Sequence, residues 1–180
     1  MTIDYRIVDI MSEFEPAVDL EILIWGLNPR DAAPSHLLHV IGVNGGAYIA
    51  AFHDAQMVGI AFAFPVWRGN QRILWSYMTG VHPGYQGQNI GLNLKLKQRE
   101  WALANGYNTI PWTFDPMQCG NANFNFHKLG ATSNIYHINR KVMSLPPLFL
   151  PERVLRRSPR YLGSRLYPLW PRAPSLSDRA

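Results

Sequence analysis

The chain has 180 residues, which is enough for one domain with a hydrophobic core and too few for two ordinary domains joined by a linker. Its composition is 47% hydrophobic and 16% charged, which suits a globular enzyme better than a disordered chain, and no apolar run approaches the roughly 20 residues of a membrane span. The formal net charge is +5, and all of this excess falls in residues 144–180, because residues 1–143 carry ten basic and ten acidic side chains. The net charge therefore indicates nothing about the partners of the folded part.

The N-terminal part predicts one strand and two helices. Residues 3–10 alternate apolar and polar side chains, as a half-buried strand does. A helical spacing of apolar residues follows, with Ser12 as the expected N-cap and Gly26 as the expected stop. Residues 34–42 predict a shorter helix.

The rest of residues 1–143 predicts strands, a long helix and a short one. The complete order is β-α-α-β-β-β-α-β-α-β, an α/β arrangement around a mixed sheet. The predicted strands cover residues 47–52, 57–66, 73–81, 109–114 and 131–142, and the helices cover residues 88–105 and 121–129.

The long helix is expected to turn its apolar residues inward and its charged residues outward. Its inner members would be Ile90, Leu92, Leu94, Leu96 and Trp101. Its outer members would be Lys95, Lys97, Gln98, Arg99 and Glu100.

Residues 144–180 have a different composition, with seven prolines, seven arginines and no sustained periodicity of apolar residues. Proline fixes φ and removes a backbone donor, so an extended or disordered tail is predicted after a domain of residues 1–143. Pro146 and Pro147 exclude a central strand just beyond residue 144. Arginines interleaved with aromatic residues allow contact with nucleic acid or an anionic surface, and a solvated tail is the alternative.

Cysteine and histidine usage predicts neither a disulfide nor a metal site. Cys119 is the only cysteine, and His36 and His39 lie one helical turn apart with no carboxylate at a suitable spacing. The N-terminus also lacks the basic and then apolar pattern of a secretory signal, so a cytoplasmic protein is expected.

One loop between a predicted strand and the long helix carries the strongest functional signal. A glycine-bearing loop at a helix N-terminus offers free backbone N–H groups together with the positive end of the helix dipole, which suits a pyrophosphate. Alone, this pattern also fits a plain strand–helix turn. The loop is Val81-His82-Pro83-Gly84-Tyr85-Gln86-Gly87-Gln88-Asn89-Ile90-Gly91.

This loop resembles the signature of the GNAT acetyltransferases, Val-x-Pro-x-x-Arg/Gln-Gly-x-Gly-Ile-Gly. The order of elements over residues 3–142 is similar to that superfamily. So is the run from Phe126 to Ala131, which resembles the family's Tyr-x-x-x-Gly-Phe. Within the superfamily, residues 113–116 and 121–125 look like a subgroup known only as predicted acetyltransferases. The resemblance implies a GNAT-type fold: a single domain with a mixed, mostly antiparallel central sheet flanked by helices.

The resemblance also implies a site and a reaction. The loop amides would hold the pyrophosphate of acetyl-CoA as co-substrate, the end of the preceding strand would pair with the pantetheine arm, and the strand at residues 109–114 would splay away. The acyl group would pass directly to an amine of a small molecule or peptide. The implied cofactor-binding residues are Thr79, Val81, Gln86, Gly87, Gln88, Asn89, Ile90, Gly91 and Asn121.

Three departures from the family pattern bear on catalysis. Asn89 replaces a glycine, although Asn tolerates a left-handed backbone best among the other residues. Phe126 replaces the tyrosine that protonates the leaving thiolate in many members, and the strand at residues 73–81 has no carboxylate to act as a base. These departures motivate an alternative function, a non-catalytic acyl-CoA-binding protein of the same fold.

Several residues keep two interpretations. Tyr77 is a candidate catalytic acid or a packed core residue, and strict alternation would place it on one strand face with Thr79 and place Ser76 and Met78 on the other. His82 is a base or a solvated loop residue. Asp115 is a site residue or an ordinary turn opener, and one of the asparagines near Asn121 is expected to cap a helix. A homodimer is also possible.

Overall fold

The structure is a computed structural model, and it describes residues 2–115, 117–135 and 152–155. The described chain forms seven strands and four α-helices. The strands are β1 (Asp4–Ile7), β2 (Ala47–His53), β3 (Gln56–Arg68), β4 (Gln71–Val81), β5 (Ile110–Thr113), β6 (Thr132–Ile135) and β7 (Glu152–Leu155). The helices are α1 (Met11–Trp25), α2 (Ser35–Val43), α3 (Ile90–Ala104) and α4 (Cys119–Asn123). In the described residues, no helix is both long and apolar enough to cross a membrane.

Four strands form an antiparallel sheet in the order β1-β2-β3-β4. Helices α1 and α2 cover one face, where Phe14 and Leu38 pack against Tyr48 and Phe62. Helix α3 covers the other face. The sheet is therefore buried between two layers of helix, which explains the continuous burial of β2 and most of β3.

The second sheet has the order β5-β7-β6, so the last strand in sequence lies in the middle. The prediction of an extended or disordered tail after residue 143 is therefore wrong for residues 152–155, which form β7. The backbone of β7 pairs with strands on both sides, and this pairing with distant strands is not visible in the local sequence pattern. The remaining residues assigned to the basic tail lie outside the described residues.

The structure corrects the predicted orientation of α3. Lys95 and Gln98, predicted to face outward, are buried, while Leu96, predicted to face inward, is 46% exposed. The buried stripe consists of Ile90, Leu94, Lys95, Gln98 and Ala102, which follows the spacing of a helix face. Polar residues occupy this face where the helix covers β4 and β5.

Helix α1 begins one residue before its predicted cap. The N-cap is Ile10, and no side chain caps the start, so Ser12 lies inside the first turn. Gly26 ends the helix as predicted, because it adopts a left-handed conformation with φ of 61° and its N–H donates to the carbonyl of Ile22.

Candidate active site

The loop between β4 and α3 leaves the first turn of α3 uncapped. A 3₁₀ turn (Pro83–Tyr85) follows β4, and Gly87 and Asn89 then adopt positive φ values of 79° and 60°. Asn89 is the N-cap residue, but its side chain makes no capping hydrogen bond, and the first turn of α3 contains no acidic residue. The backbone N–H groups at this helix start are therefore available to an anion, and the helix dipole favours one there.

A pocket of about 150 Å³ opens over this helix start. A Cβ atom added at Gly87 would meet no other atom within 4 Å. A Cβ added at Gly91 would make ordinary contacts, 3.6 Å from Val81 and 3.8 Å from Phe124. Packing within the chain thus does not require glycine at position 91, whereas a ligand lying against the backbone would. The pocket is lined by Val81, Tyr85, Gln86, Gly87, Asn89, Ile90, Gly91, Leu92, Phe124 and Lys128.

Lys128 supplies a positive charge at this pocket. It lies in the π-helical turn Phe124–Lys128, and its Nζ donates to Asn89 Oδ1 at 3.2 Å. The sequence analysis missed Lys128, because position 128 is a variable position of the family pattern that residues 126–131 resemble. A basic residue in the last turn of a helix near a predicted anion loop was the available signal.

Two histidines and a tyrosine hold the loop in place through hydrogen bonds. His82 Nδ1 accepts a hydrogen bond from the N–H of Gly84 at 3.0 Å. Tyr85 hydroxyl lies 3.1 Å from His53 Nδ1 and donates to Gln56 Oε1 at 3.3 Å. Because one ring nitrogen of His82 holds the loop backbone, this residue fixes the conformation of the 3₁₀ turn.

Strand β4 contains a bulge at Tyr77. Met78 pairs with Phe62 of β3, and Ser76 pairs with Ala63, so Tyr77 is an extra residue without a partner in the register. The bulge reverses the alternation predicted for this strand. Met78 packs with the α1 and α2 layer, whereas the side chain of Ser76 contacts Lys95 on α3. The predicted grouping of Ser76 with Met78 is therefore wrong, since a bulge shifts every following side chain to the opposite face.

The structure also excludes the core interpretation of Tyr77. Its side chain is 59% exposed and lies edge-on to Phe62, with ring centroids 6.3 Å apart. It also contacts Phe64 with ring centroids 5.9 Å apart. Both phenylalanines flank the α1 and α2 layer, so Tyr77 lies on that side of the sheet, and Thr79 lies on the α3 side with its partner Ala61.

Strands β4 and β5 diverge and form a wedge. The N–H of Leu74 donates to the carbonyl of Thr109 at 3.2 Å, just before β5 begins. Beyond this point β5 pairs with β7, and β4 is the end strand of its own sheet. In the part of the chain that the structure describes, the outer backbone edge of β4 from Met78 to Val81 therefore has no strand partner, and the bulge residue Tyr77 lies just before it.

A buried polar cluster lies at the root of this wedge, between α3, β4 and β5. Lys95 Nζ donates to Ser76 Oγ on β4 and to Gln98 Oε1 on α3. The same Nζ lies 4.6 Å above the ring of Trp112 on β5. Burial lowers the pKa of Lys95 from 10.5 to about 7. The sequence analysis missed this cluster because it placed both Lys95 and Gln98 on the solvent side.

The remaining candidates lie around α4. Asn121 is exposed and its Nδ2 donates to Gln118 Oε1, while the N-cap of α4 is Gln118 without a capping side chain. None of the nearby asparagines therefore caps the start of α4. Asn125 is buried, and its Oδ1 accepts a hydrogen bond from Trp112 Nε1 at 3.0 Å.

Three further residues have simple surroundings. Asp115 Oδ1 accepts the N–H of Met117 at 2.9 Å, which is the geometry of the turn that the sequence allowed. Cys119 is exposed and carries a free thiol. Phe126 is 44% exposed and lies edge-on to Phe114.

Comparison with known proteins agrees with this geometry. The family model described as "Acetyltransferase (GNAT) family" matches residues 8–131. No curated protein sequence gives a match. Many solved structures share the fold.

Three of these structures illustrate the similarity. The ribosomal-protein-S18-alanine N-acetyltransferase from Escherichia coli has a TM-score of 0.71 at 13% identity, covering 92% of this chain and 99% of that one. YncA, described as a putative acetyltransferase from Salmonella typhimurium with its cofactor acetyl-CoA, has a TM-score of 0.70 at 15% identity, covering 87% and 94%. NAA60 of Arabidopsis thaliana, solved with a bisubstrate analogue, has a TM-score of 0.67 at 13% identity, covering 85% and 97%.

The fold, with its uncapped, glycine-bearing helix start, defines an α/β protein of the same class as these structures. The match over residues 8–131 then places the chain in the GNAT acetyltransferase family. At 10–15% identity the solved structures establish the fold alone.

Proposed function

We propose that this protein transfers the acyl group of acetyl-CoA to an amine of a small molecule or peptide by direct attack on the thioester. The observation that carries the proposal is the uncapped start of α3, which opens into a pocket bearing Lys128. The relative YncA was solved with acetyl-CoA, and NAA60 with a bisubstrate analogue, which supports the same donor and an acceptor held beside it.

The proposed donor site combines backbone amides with one cation. The N–H groups of residues 87–91 would bind the pyrophosphate, with Lys128 adding charge from the side; the N–H of Gln86 itself donates to the carbonyl of Pro83. The free edge of β4 near Thr79 and Val81 would pair with the pantetheine arm, as a strand edge pairs with an extended chain. The complete proposed set is Thr79, Val81, Gln86, Gly87, Gln88, Asn89, Ile90, Gly91 and Lys128; a contact from Asn121 stays a prediction.

The proposed chemistry uses the bulge in β4. A bulge leaves a backbone N–H outside the ladder, and such a group can stabilise the oxyanion that forms on the thioester carbonyl. Phe126 has no proton to give to the leaving thiolate, so Tyr77, exposed at the bulge, is the proposed acid. The amine would arrive already deprotonated or lose its proton to water, since β4 has no carboxylate.

Calorimetry with acetyl-CoA tests the donor site. We expect Lys128→Ala to weaken binding about tenfold, because a charge-assisted contact to phosphate is lost. Lys97→Ala is the matched control, since Lys97 is exposed on α3 and paired with Glu100. Absence of acetyl-CoA binding to the wild-type protein would contradict the proposed function.

A thiol-release assay on a panel of amines tests the transfer. Tyr77→Phe is expected to lower kcat about 100-fold and to leave the KM for acetyl-CoA unchanged, because it removes a proton donor and no binding group. Unchanged kcat would remove Tyr77 from the mechanism.

Phe126 and the absence of a carboxylate on β4 favour the second candidate, an acyl-CoA-binding protein without transfer. This candidate predicts tight binding with CoA release no faster than background for every amine.

A further inference from the structure

The cluster at the root of the wedge is among the most buried polar groups of the described chain. Lys95 is 4% exposed, Ser76 is 2% exposed and Gln98 is fully buried. They lie on two elements, α3 and β4, and β5 closes the cluster with the ring of Trp112. Such groups require a physical reason, because unpaired polar atoms in a protein interior cost free energy.

This cluster has more hydrogen-bond donors than acceptors. A lysine ammonium has three donors and no acceptor, and here it uses the only two side-chain oxygens of the cluster, Ser76 Oγ and Gln98 Oε1. Gln98 Nε2 is buried and has no partner among the described residues. The cluster thus offers N–H groups from two side chains for which the described part of the chain supplies no matching acceptor.

Among the side chains that the structure describes, no negative charge contacts this cluster. Those that contact Lys95 Nζ are Gln98 on α3, Ser76 on β4 and Trp112 on β5, and none of the three carries a charge. Burial is the cause of the lowered pKa of Lys95, to about 7. Buried cations in proteins are usually paired with an anion, and a pair that is incomplete within the chain can be completed by a ligand.

The cluster lies next to the place where the acyl end of the donor is proposed to bind. Ser76 directly precedes the bulge at Tyr77, where the thioester carbonyl is proposed to bind. Trp112 also donates to Asn125, which adjoins Phe124 in the wall of the donor pocket. An acyl chain that continues past the carbonyl toward the closed end of the wedge would therefore approach Lys95 and Gln98.

We infer that the acyl donor is a CoA thioester whose acyl chain ends in a carboxylate, and that Lys95 and Gln98 donate hydrogen bonds to this carboxylate. The inference rests on the proposed transfer from a CoA thioester, and it assigns the mono-thioester of a short dicarboxylic acid as the preferred donor in place of acetyl-CoA. An uncharged acyl chain would leave the third N–H of the ammonium and the Nε2 of Gln98 without an acceptor among the described side chains.

Binding of hydrolysis-stable thioether analogues of CoA tests the inference without a known amine. The comparison uses the four-carbon carboxylate chain (succinyl type) and the uncharged four-carbon chain (butyryl type), which have similar length. We expect the carboxylate analogue to bind the wild-type protein at least tenfold more tightly. Equal binding of the two, or tighter binding of the butyryl analogue, would overturn the inference.

Substitutions in the cluster test whether it causes the preference for the carboxylate analogue over the butyryl analogue. Lys95→Met is expected to abolish the preference, and Gln98→Leu to reduce it severalfold, while Lys97→Met on the exposed side of α3 leaves it unchanged. Gln98→Leu keeps the test available if Lys95→Met fails to fold. A preference retained in Gln98→Leu and in a folded Lys95→Met would overturn the assignment.

Proton uptake gives a readout that a purely structural role would not change. A bound carboxylate stabilises the ammonium, so at pH 8 the carboxylate analogue should bind with uptake of close to one proton and the butyryl analogue with almost none. Calorimetry in buffers of different ionisation enthalpy measures this difference, and equal uptake would overturn the inference. If both analogues bind equally, the inference fails while the proposed function stands; if no CoA derivative binds, the proposed function itself fails.

Discussion

Lys95 makes the stability of this protein depend on pH. Its pKa is about 7 in the folded state against 10.5 ordinarily, so between these values the folded protein binds fewer protons than the unfolded chain. The free energy of unfolding should therefore rise as the pH increases from about 7 toward 10.5. Below pH 7 the penalty of the buried charge is complete and constant.

Lys95→Met should remove this rise. Melting temperatures measured by calorimetry between pH 6 and pH 9.5 are expected to increase for the wild-type protein and for Lys97→Met, and to be flatter for Lys95→Met. Parallel curves for Lys95→Met and the wild-type protein would show that the amine is not the titrating group.

Asn89 occupies a backbone conformation that most residues avoid. Its φ of 60° is left-handed, a region that costs a residue with a Cβ roughly 1–2 kcal/mol and that glycine adopts freely. We expect Asn89→Val to lower the free energy of unfolding by about 1–2 kcal/mol and Asn89→Gly to be nearly neutral. Urea unfolding of both variants measures this, and equal losses would point instead to the hydrogen bond from Lys128.

At the scale of elements, Glu21 connects α1 with the segment before α2. Its carboxylate is 4% exposed and accepts a hydrogen bond from the N–H of Ala33, while Oε2 has no partner among the described residues. Burial raises the pKa of Glu21 more than this hydrogen bond lowers it. The folded state therefore binds more protons than the unfolded chain, and stability falls as the pH rises from 4.5 through the folded pKa.

Glu21→Gln keeps an acceptor for Ala33 and removes the buried charge. We expect it to raise the melting temperature at pH 7.5 and to leave it almost unchanged at pH 4, in thermal unfolding at both pH values. Glu15→Gln, on the exposed side of α1, serves as the control. A lower melting temperature for Glu21→Gln at pH 7.5 would mean that the carboxylate is stabilised by its surroundings.

The sequence predicted elements where local patterning determines structure. Strands β2, β3 and β4 and helix α3 were expected within a few residues of their observed ends, because their apolar periods and flanking turns are clear. The faces of β4 were predicted wrongly because a bulge arises from pairing with β3, which the sequence of β4 alone does not encode. The loop at residues 81–91 was found from its glycines, whereas Lys95 and Lys128 gain meaning only from the packing of α3, β5 and the π-helical turn.

At the scale of the whole molecule, β7 joins the second sheet together. It pairs with β5 on one side and β6 on the other, so its removal leaves two short strands without a shared partner. Isolated short strands are marginally stable and expose unpaired edges. Residues 144–180 were assigned to a tail, but the integrity of the sheet beside the wedge is expected to depend on part of them.

Two truncations test this dependence. A chain of residues 1–160 retains β7, and we expect it to melt with the full-length protein. A chain of residues 1–143 lacks β7, and we expect it to melt at least several degrees lower and to aggregate more readily. Thermal unfolding and light scattering measure both, and identical melting temperatures would show that β7 adds nothing to stability.

The central place of the last strand also sets an order of events during synthesis. The ribosome makes β5 and β6 before β7, so the nascent chain carries both unpaired edges until residue 155 has emerged. The four-stranded sheet with α1, α2 and α3 can fold earlier, since all of its segments precede residue 105. In the nascent chain the half that bears the loop of residues 81–91 is therefore complete while the sheet on the other side of the wedge is still unfinished, and the proposed binding of the acyl donor would have to wait for the final strand.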